Sequence, residues 1–150
     1  MGKADMGNAW TALNTGNGRE VDLVSLGCPH LSVMELREVA RHLDGRKIRS
    51  DKRLWVSCGY EMYNLARRMG YIETIERAGG LVLTGCCAGP LTPWDKLVDK
   101  VSVVATNSTR CAGYVNMVSG GKVKTRYASV EVCLNSIITG RWEDRERWLS

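Results

Sequence analysis

The chain has 150 residues, 44% of them apolar and 25% charged, with a net charge of +5. That length suits one domain with a proper core, and the composition is ordinary for a globular protein. No stretch reaches the roughly 18 consecutive apolar residues of a membrane helix, and the first residues lack the apolar centre of a signal peptide. The Lys and Arg residues are scattered, without interleaved stacking aromatics, which favours small anions over nucleic acid as partners. The expected compartment is therefore the cytoplasm, with neither a membrane nor nucleic acid as partner. Six cysteines in that compartment point to metal binding, catalysis or burial rather than to a disulfide framework.

Residues 1–20 are rich in Gly and Asn, show no clear period, and read as a flexible tail or the remnant of an upstream segment. A short apolar run, Asp22 to Leu26, predicts a buried strand that stops at Gly27. Ser32 and Glu35 have the spacing of a capping box, so a helix starts at Val33 and runs to about Leu43, burying Met34, Leu36, Val39, Ala40 and Leu43. A second strand over 54–57 leads to Cys58-Gly59, and two helical stretches follow, 61–69 and 71–78, stopped by Gly79-Gly80. The third strand, 81–84, ends at Gly85-Cys86-Cys87, and a loop with Pro90 and Pro93 leads to a short amphipathic piece at 94–98. A fourth strand over 101–105 ends at Thr106-Asn107-Ser108 before a helix from about Thr109 to Met117. The last strand, 123–127, meets Ser129, which can cap a helix over 130–139 closed by Gly140, and a charged tail follows.

Strand and helix alternate with short connections, which predicts an α/β fold: one three-layer domain over 21–142, with a mostly parallel sheet of about five strands and helices on both faces. Residues 143–150 form the charged tail; Trp142, at the end of the domain, and Trp148, in the tail, are expected to be exposed and either mark a docking surface or cover the domain's own sheet edge. Cys28, Cys58, Cys86, Cys87, Asn107, Ser108 and Ser129 all fall just after a strand, and in a parallel sheet those positions share one edge.

Cys28 sits in a rigid turn between Gly27 and Pro29, beside a helix amino terminus whose dipole favours thiolate and hence metal ligation. The absence of any C-x-x-C disfavours zinc ribbons and thioredoxin-type pairs, whereas iron–sulfur clusters accept thiolates far apart in sequence. Cys28 with Cys86 or Cys87 fits such a placement. Cys58 stays open between ligand and core residue, and Cys111 and Cys133, inside predicted helices, are expected in the core. His30 is a candidate acid or base, or a residue that holds the turn. Asn107 and Ser108 either cap the next helix or, with Arg110, receive a phosphate or carboxylate. Gly79-Gly80 has no dinucleotide fingerprint around it.

Four motifs in order resemble the aconitase X family. They are GCPH at 27–30 followed by LSVMELREVARHLDGRK, then ERAGGLVLTGCC, then ATNSTRCAGYV, and last SVEVCLNSIITGRW. The resemblance runs from Asp22 to Trp142 and implies part of an iron–sulfur hydro-lyase. Such a dehydratase eliminates water from a small hydroxy acid such as mevalonate 5-phosphate or cis-3-hydroxy-L-proline. It implies cluster ligation (or another iron site) by Cys28 and by Cys86 or Cys87, with Asn107, Ser108, Arg110 and Tyr114 on the family's Asn-Ser-Lys-Tyr positions. It also implies partners: an amino-terminal portion of the large subunit, supplying a third cysteine, and a small subunit. Two departures stand out. Gly85-Cys86-Cys87 replaces the family's Asp-Thr-Cys, and Arg110 replaces a Lys, keeping the cation but removing a neutral amine near pH 7. The rival readings are a non-catalytic α/β anion-binding module of the same descent, and a zinc or mononuclear protein using Cys28, Cys86, Cys87 and His30.

Overall fold

The computed structural model describes residues 2–16, 18, 20–86 and 100–143. Among them the chain runs α1 (Lys3–Leu13), β1 (Leu23–Leu31), α2 (Val33–Leu43), β2 (Arg53–Cys58), α3 (Tyr60–Arg68), α4 (Tyr71–Ala78) and β3 (Leu81–Thr84). It continues through β4 (Val103–Thr106), α5 (Thr109–Val118), β5 (Lys124–Tyr127) and α6 (Val130–Thr139). The five strands form one sheet, all neighbours parallel, in the order β3-β2-β1-β4-β5. This is the α/β architecture expected. The amphipathic piece at 94–98, Cys87 and Trp148 lie outside the described residues.

Successive strand residues point to opposite faces, and both faces here are apolar, as the nearly continuous apolar runs required. Val24, Leu26, Leu54, Val56, Val103 and Ala105 join a large core with Leu36, Val39 and Leu43 of α2, Ile72 and Ile75 of α4, and Leu134 and Ile137 of α6. Leu23 and Val104 point the other way, into a smaller core with Cys111 and Val115 of α5. Each fully buried Leu or Ile stabilises the fold by roughly 1.5–3 kcal/mol, so the larger core dominates. Helix α3 packs on α2 and α4 rather than on the sheet. Trp142 packs against the large core with the Arg126 guanidinium carbon 5.3 Å from its ring centre, so it covers the sheet rather than projecting from it.

Three local expectations change. The first strand does not stop at Gly27. It runs to Leu31, with an irregularity between Leu26 and Leu31 before Leu31 pairs with Cys58, so Cys28 and His30 lie inside a distorted strand end. Met34, expected in the core, is 53% exposed. At about 100° per residue it lies about 200° around the helix from Leu36, on the side away from the sheet. Finally, residues 3–13, in the segment read as a tail, form α1. Its sequence carries almost no amphipathic period, and what holds it is tertiary. Trp10 is buried and meets Tyr127 edge-on at 5.5 Å. Tyr127 N donates to Asn14 Oδ1 (2.9 Å), Thr125 N to Thr15 Oγ1 (3.0 Å) and Gly16 N to Thr125 O (3.0 Å). These bonds cover the outer edge of β5, which would otherwise expose unpaired backbone groups.

Candidate functional site

The strand order fixes where a site can form. From β1 the chain moves outward through β2 to β3, then returns to the other side of β1 to lay down β4 and β5. Helix α2, leaving β1, packs on one face of the sheet, and α5, leaving β4, packs on the other. The carboxyl ends of β1 and β4 therefore diverge around a crevice, the topological switch point at which open α/β sheets bind ligands. A cleft of about 460 Å³ lies there, lined by the turn 27–31, by Glu35, and by residues 107–110.

The turn is shaped by Gly27. Its φ of +102° lies in the region that favours glycine, and a Cβ there would stand 2.9 Å from the Ser57 carbonyl carbon and nitrogen. The missing side chain lets β1 press on the β2 backbone before Cys28, in a cis peptide with Pro29, turns toward the cleft. Cys28 is half-buried and packs against the smaller core; Pro29 and His30 are exposed. The turn ends at the α2 capping box. Glu35 N donates to Ser32 Oγ (3.3 Å), and Ser32 N donates to the Glu35 carboxylate (2.8 Å).

The opposite lip is the start of α5. Ser108 is its N-cap: Oγ accepts from Cys111 N at 3.1 Å, and Ser108 N donates to Thr106 Oγ1 at 3.2 Å. The Ser108 hydroxyl proton is not used by that capping bond. Arg110 is exposed and Asn107 is half-buried, both on the cleft lining. A helix amino terminus with free amides, a hydroxyl and a guanidinium within one turn is chemically suited to a carboxylate or phosphate.

The fold thus brings Cys28, His30, Asn107, Ser108 and Arg110 to one cleft from sequence positions some 80 residues apart. Cys86 is also half-buried, just beyond β3 on the same edge, but two strands from β1, which at about 4.8 Å per strand is roughly 10 Å away. Tyr114 lies a turn further along α5, outside the cleft lining. Cys58 is fully buried, and desolvation pushes its thiol pKa up, which disfavours thiolate. Cys111 and Cys133 are in the core as expected, Cys111 with its Sγ 3.8 Å from Ser25 Oγ. Glu35 and Thr109 line the cleft without having been singled out. The capping-box spacing already placed Glu35 at the strand-to-helix edge, so that signal was available.

A family model described as the aconitase X third domain matches residues 21–139. The chain belongs to the aconitase X family. The phosphomevalonate dehydratase large subunit of Methanocaldococcus jannaschii is 40% identical over 115 residues, covering 77% of this chain and 27% of that protein. The cis-3-hydroxy-L-proline dehydratase of Hypocrea jecorina is 29% identical over 146 residues, covering 94% of this chain and 23% of its own length. The crystal structure of Thermococcus kodakaraensis aconitase X in its holo form superposes with a TM-score of 0.72 at 26% identity, covering 89% of this chain and 32% of that one. This chain therefore spans about a quarter of the length of the curated relatives it matches. Both relatives are named as dehydratases, and the match of residues 21–139 is to the model of one domain of that family.

An iron–sulfur cluster needs several thiolates converging on one point. Cys28 and Cys86 are thiols, neither of them in a disulfide, on the same sheet edge. Among the described residues, however, no group of three His, Cys, Asp or Glu could hold an ion. The donor chemistry fits and the donor number falls short, so further ligands would have to come from beyond the described residues.

Proposed function

We propose that this chain is the part of an aconitase X-type hydro-lyase that carries the anion-receiving lip of the active site and part of the cluster ligation. The observation behind this reading is the cleft at the β1/β4 switch point, where the GCPH turn faces the start of α5. A bound small hydroxy acid, such as mevalonate 5-phosphate or cis-3-hydroxy-L-proline, carries an anionic group. Arg110 and the first amides of α5 would receive it, with Ser108 donating its free hydroxyl proton and Asn107 its amide. A guanidinium presents planar donors that match a carboxylate or phosphate, so the role of Arg110 would be to bind and orient the anion. His30, on the facing lip, would exchange the proton at the carbon beside the departing hydroxyl. Cys28, with Cys86 or Cys87, would hold part of an iron–sulfur cluster (or another iron site), and the bound iron supplies Lewis acidity toward that hydroxyl. The upstream portion of a large subunit and a small subunit would complete the site, in a cytoplasmic enzyme.

The alternative is a non-catalytic anion-binding module of the same descent, favoured by the shortage of ligands among the described residues. The test combines the chain anaerobically with the upstream portion and small subunit of the Methanocaldococcus jannaschii relative, then assays water elimination from both acids. Bound iron and sulfide lost in Cys28→Ser, with KM raised at least tenfold in Arg110→Ala and partly restored in Arg110→Lys, would support the enzyme. Phosphate binding that depends on Arg110, without iron or elimination, would support the module.

A further inference from the structure

The two lips of the cleft carry opposite charge. Helices α2 and α5 both begin there, but their first turns differ. The first turn of α5 holds no acidic residue and presents the Arg110 guanidinium. The first turn of α2 holds Glu35, which also lines the cleft. One oxygen of its carboxylate, Oε2, accepts from Ser32 N and from Ser32 Oγ, both at 2.8 Å. The α2 start is thus already satisfied by an anion of its own and is closed to an anionic ligand. The same two bonds hold the side chain in place and leave Oε1 without a hydrogen bond among the described residues. Neither Glu35 nor Arg110 forms an ion pair among those residues.

We infer that Glu35 is a specificity-determining residue of this cleft, selecting a hydroxy acid with an ammonium group beside its carboxylate over one with a second anionic group. The inference rests on the dehydratase reading and names which of its two substrate classes the cleft favours. With the carboxylate on Arg110 and the α5 amides, a neighbouring ammonium would donate to Glu35 Oε1, a charge-assisted bond. The zwitterion cis-3-hydroxy-L-proline carries that pair of groups. Mevalonate 5-phosphate instead carries a carboxylate at one end and, at the other, a phosphate monoester of about −1.5 to −2 charge near pH 7. Whichever end α5 took, the other would need a second cation. Among the described residues the lining offers Arg110 as its sole Lys or Arg, and Glu35 as its sole carboxylate. Selection then comes from repelling the wrong acid as well as from holding the right one.

Mutation separates the charge of Glu35 from its capping role. Glu35→Gln removes the charge and keeps a capping-box residue, whereas Ser32→Ala removes the cap hydroxyl and keeps the charge. The full chain is titrated with each acid at low salt, where exposed charges are least screened. Binding is followed by the backbone amide signals of residues 27–35 and 107–110 in NMR spectra, which also show that each variant is folded. Wild type and Ser32→Ala should bind cis-3-hydroxy-L-proline at least tenfold more tightly than mevalonate 5-phosphate, and Glu35→Gln should cut that ratio at least fivefold. A wild-type preference for mevalonate 5-phosphate, a ratio unchanged in Glu35→Gln, a ratio lost in Ser32→Ala, or binding of neither acid would each overturn the proposal. The complemented assembly keeps the two readings apart. A Glu35-dependent preference without water elimination from either acid would leave the specificity standing and bring down the dehydratase reading. Elimination from both acids at a ratio of kcat/KM that Glu35→Gln leaves unchanged would overturn the specificity and leave the dehydratase.

Discussion

Replacing Gly27 by alanine tests the geometry that delivers Cys28 to the cleft. Two costs add. An L-residue held at φ +102° loses about 1–2 kcal/mol relative to glycine. The new Cβ would also meet the Ser57 carbonyl group, with the carbon and nitrogen of that residue at 2.9 Å. Ser57 lies in β2, which is paired with β1 on one side and β3 on the other, so it cannot retreat without disturbing a second strand. Overpacking of this kind costs about 1–3 kcal/mol. The expected loss is therefore about 2–5 kcal/mol, a large share of the roughly 5–15 kcal/mol that holds a typical domain. Gly120→Ala isolates the first cost, because Gly120 has φ +58° and open space where its Cβ would stand. It should lose about 1–2 kcal/mol. Urea unfolding followed by tryptophan fluorescence, with equal m-values, measures both. A Gly27→Ala variant within about 1 kcal/mol of Gly120→Ala would refute the argument that β1 needs this close approach.

The α2 start offers a milder test: Ser32→Ala removes the hydroxyl that accepts from Glu35 N and should cost about 1 kcal/mol in the same urea assay. A variant indistinguishable from wild type would mean the capping box does not hold the turn. The buried Cys58 thiol gives a pH prediction. Its pKa is raised by burial, so the folded state keeps the proton longer than the unfolded chain. The resulting stability is complete below the ordinary thiol pKa of about 8.5 and is lost as pH rises through the folded value. Wild type should therefore lose stability relative to Cys58→Ala between pH 8 and pH 10, and a flat difference across that range would count against it.

Much of this protein is legible locally. The helix starts at Ser32, Ser108 and Ser129 follow from capping chemistry, and the stops at Gly79 and Gly140 from left-handed glycines. Those signals act within about four residues, so the sequence displays them directly. The near-continuous apolar runs likewise required strands buried on both faces, hence a parallel α/β sheet. That also put Cys28, Asn107, Ser108 and Arg110 on one edge.

Tertiary structure decided the rest. The order β3-β2-β1-β4-β5 makes β1 and β4 neighbours, which turns one shared edge into a specific cleft and sets Cys86 two strands off. No local signal encodes that order, because it depends on which crossovers bury the most surface over long separations. Helix α1 exists because Trp10 and residues 13–16 satisfy the open edge of β5, more than 100 residues away. Met34 looks like a core residue in the apolar pattern of α2. Only the packing of that helix on the sheet turns it outward, 53% exposed and outside the cleft lining.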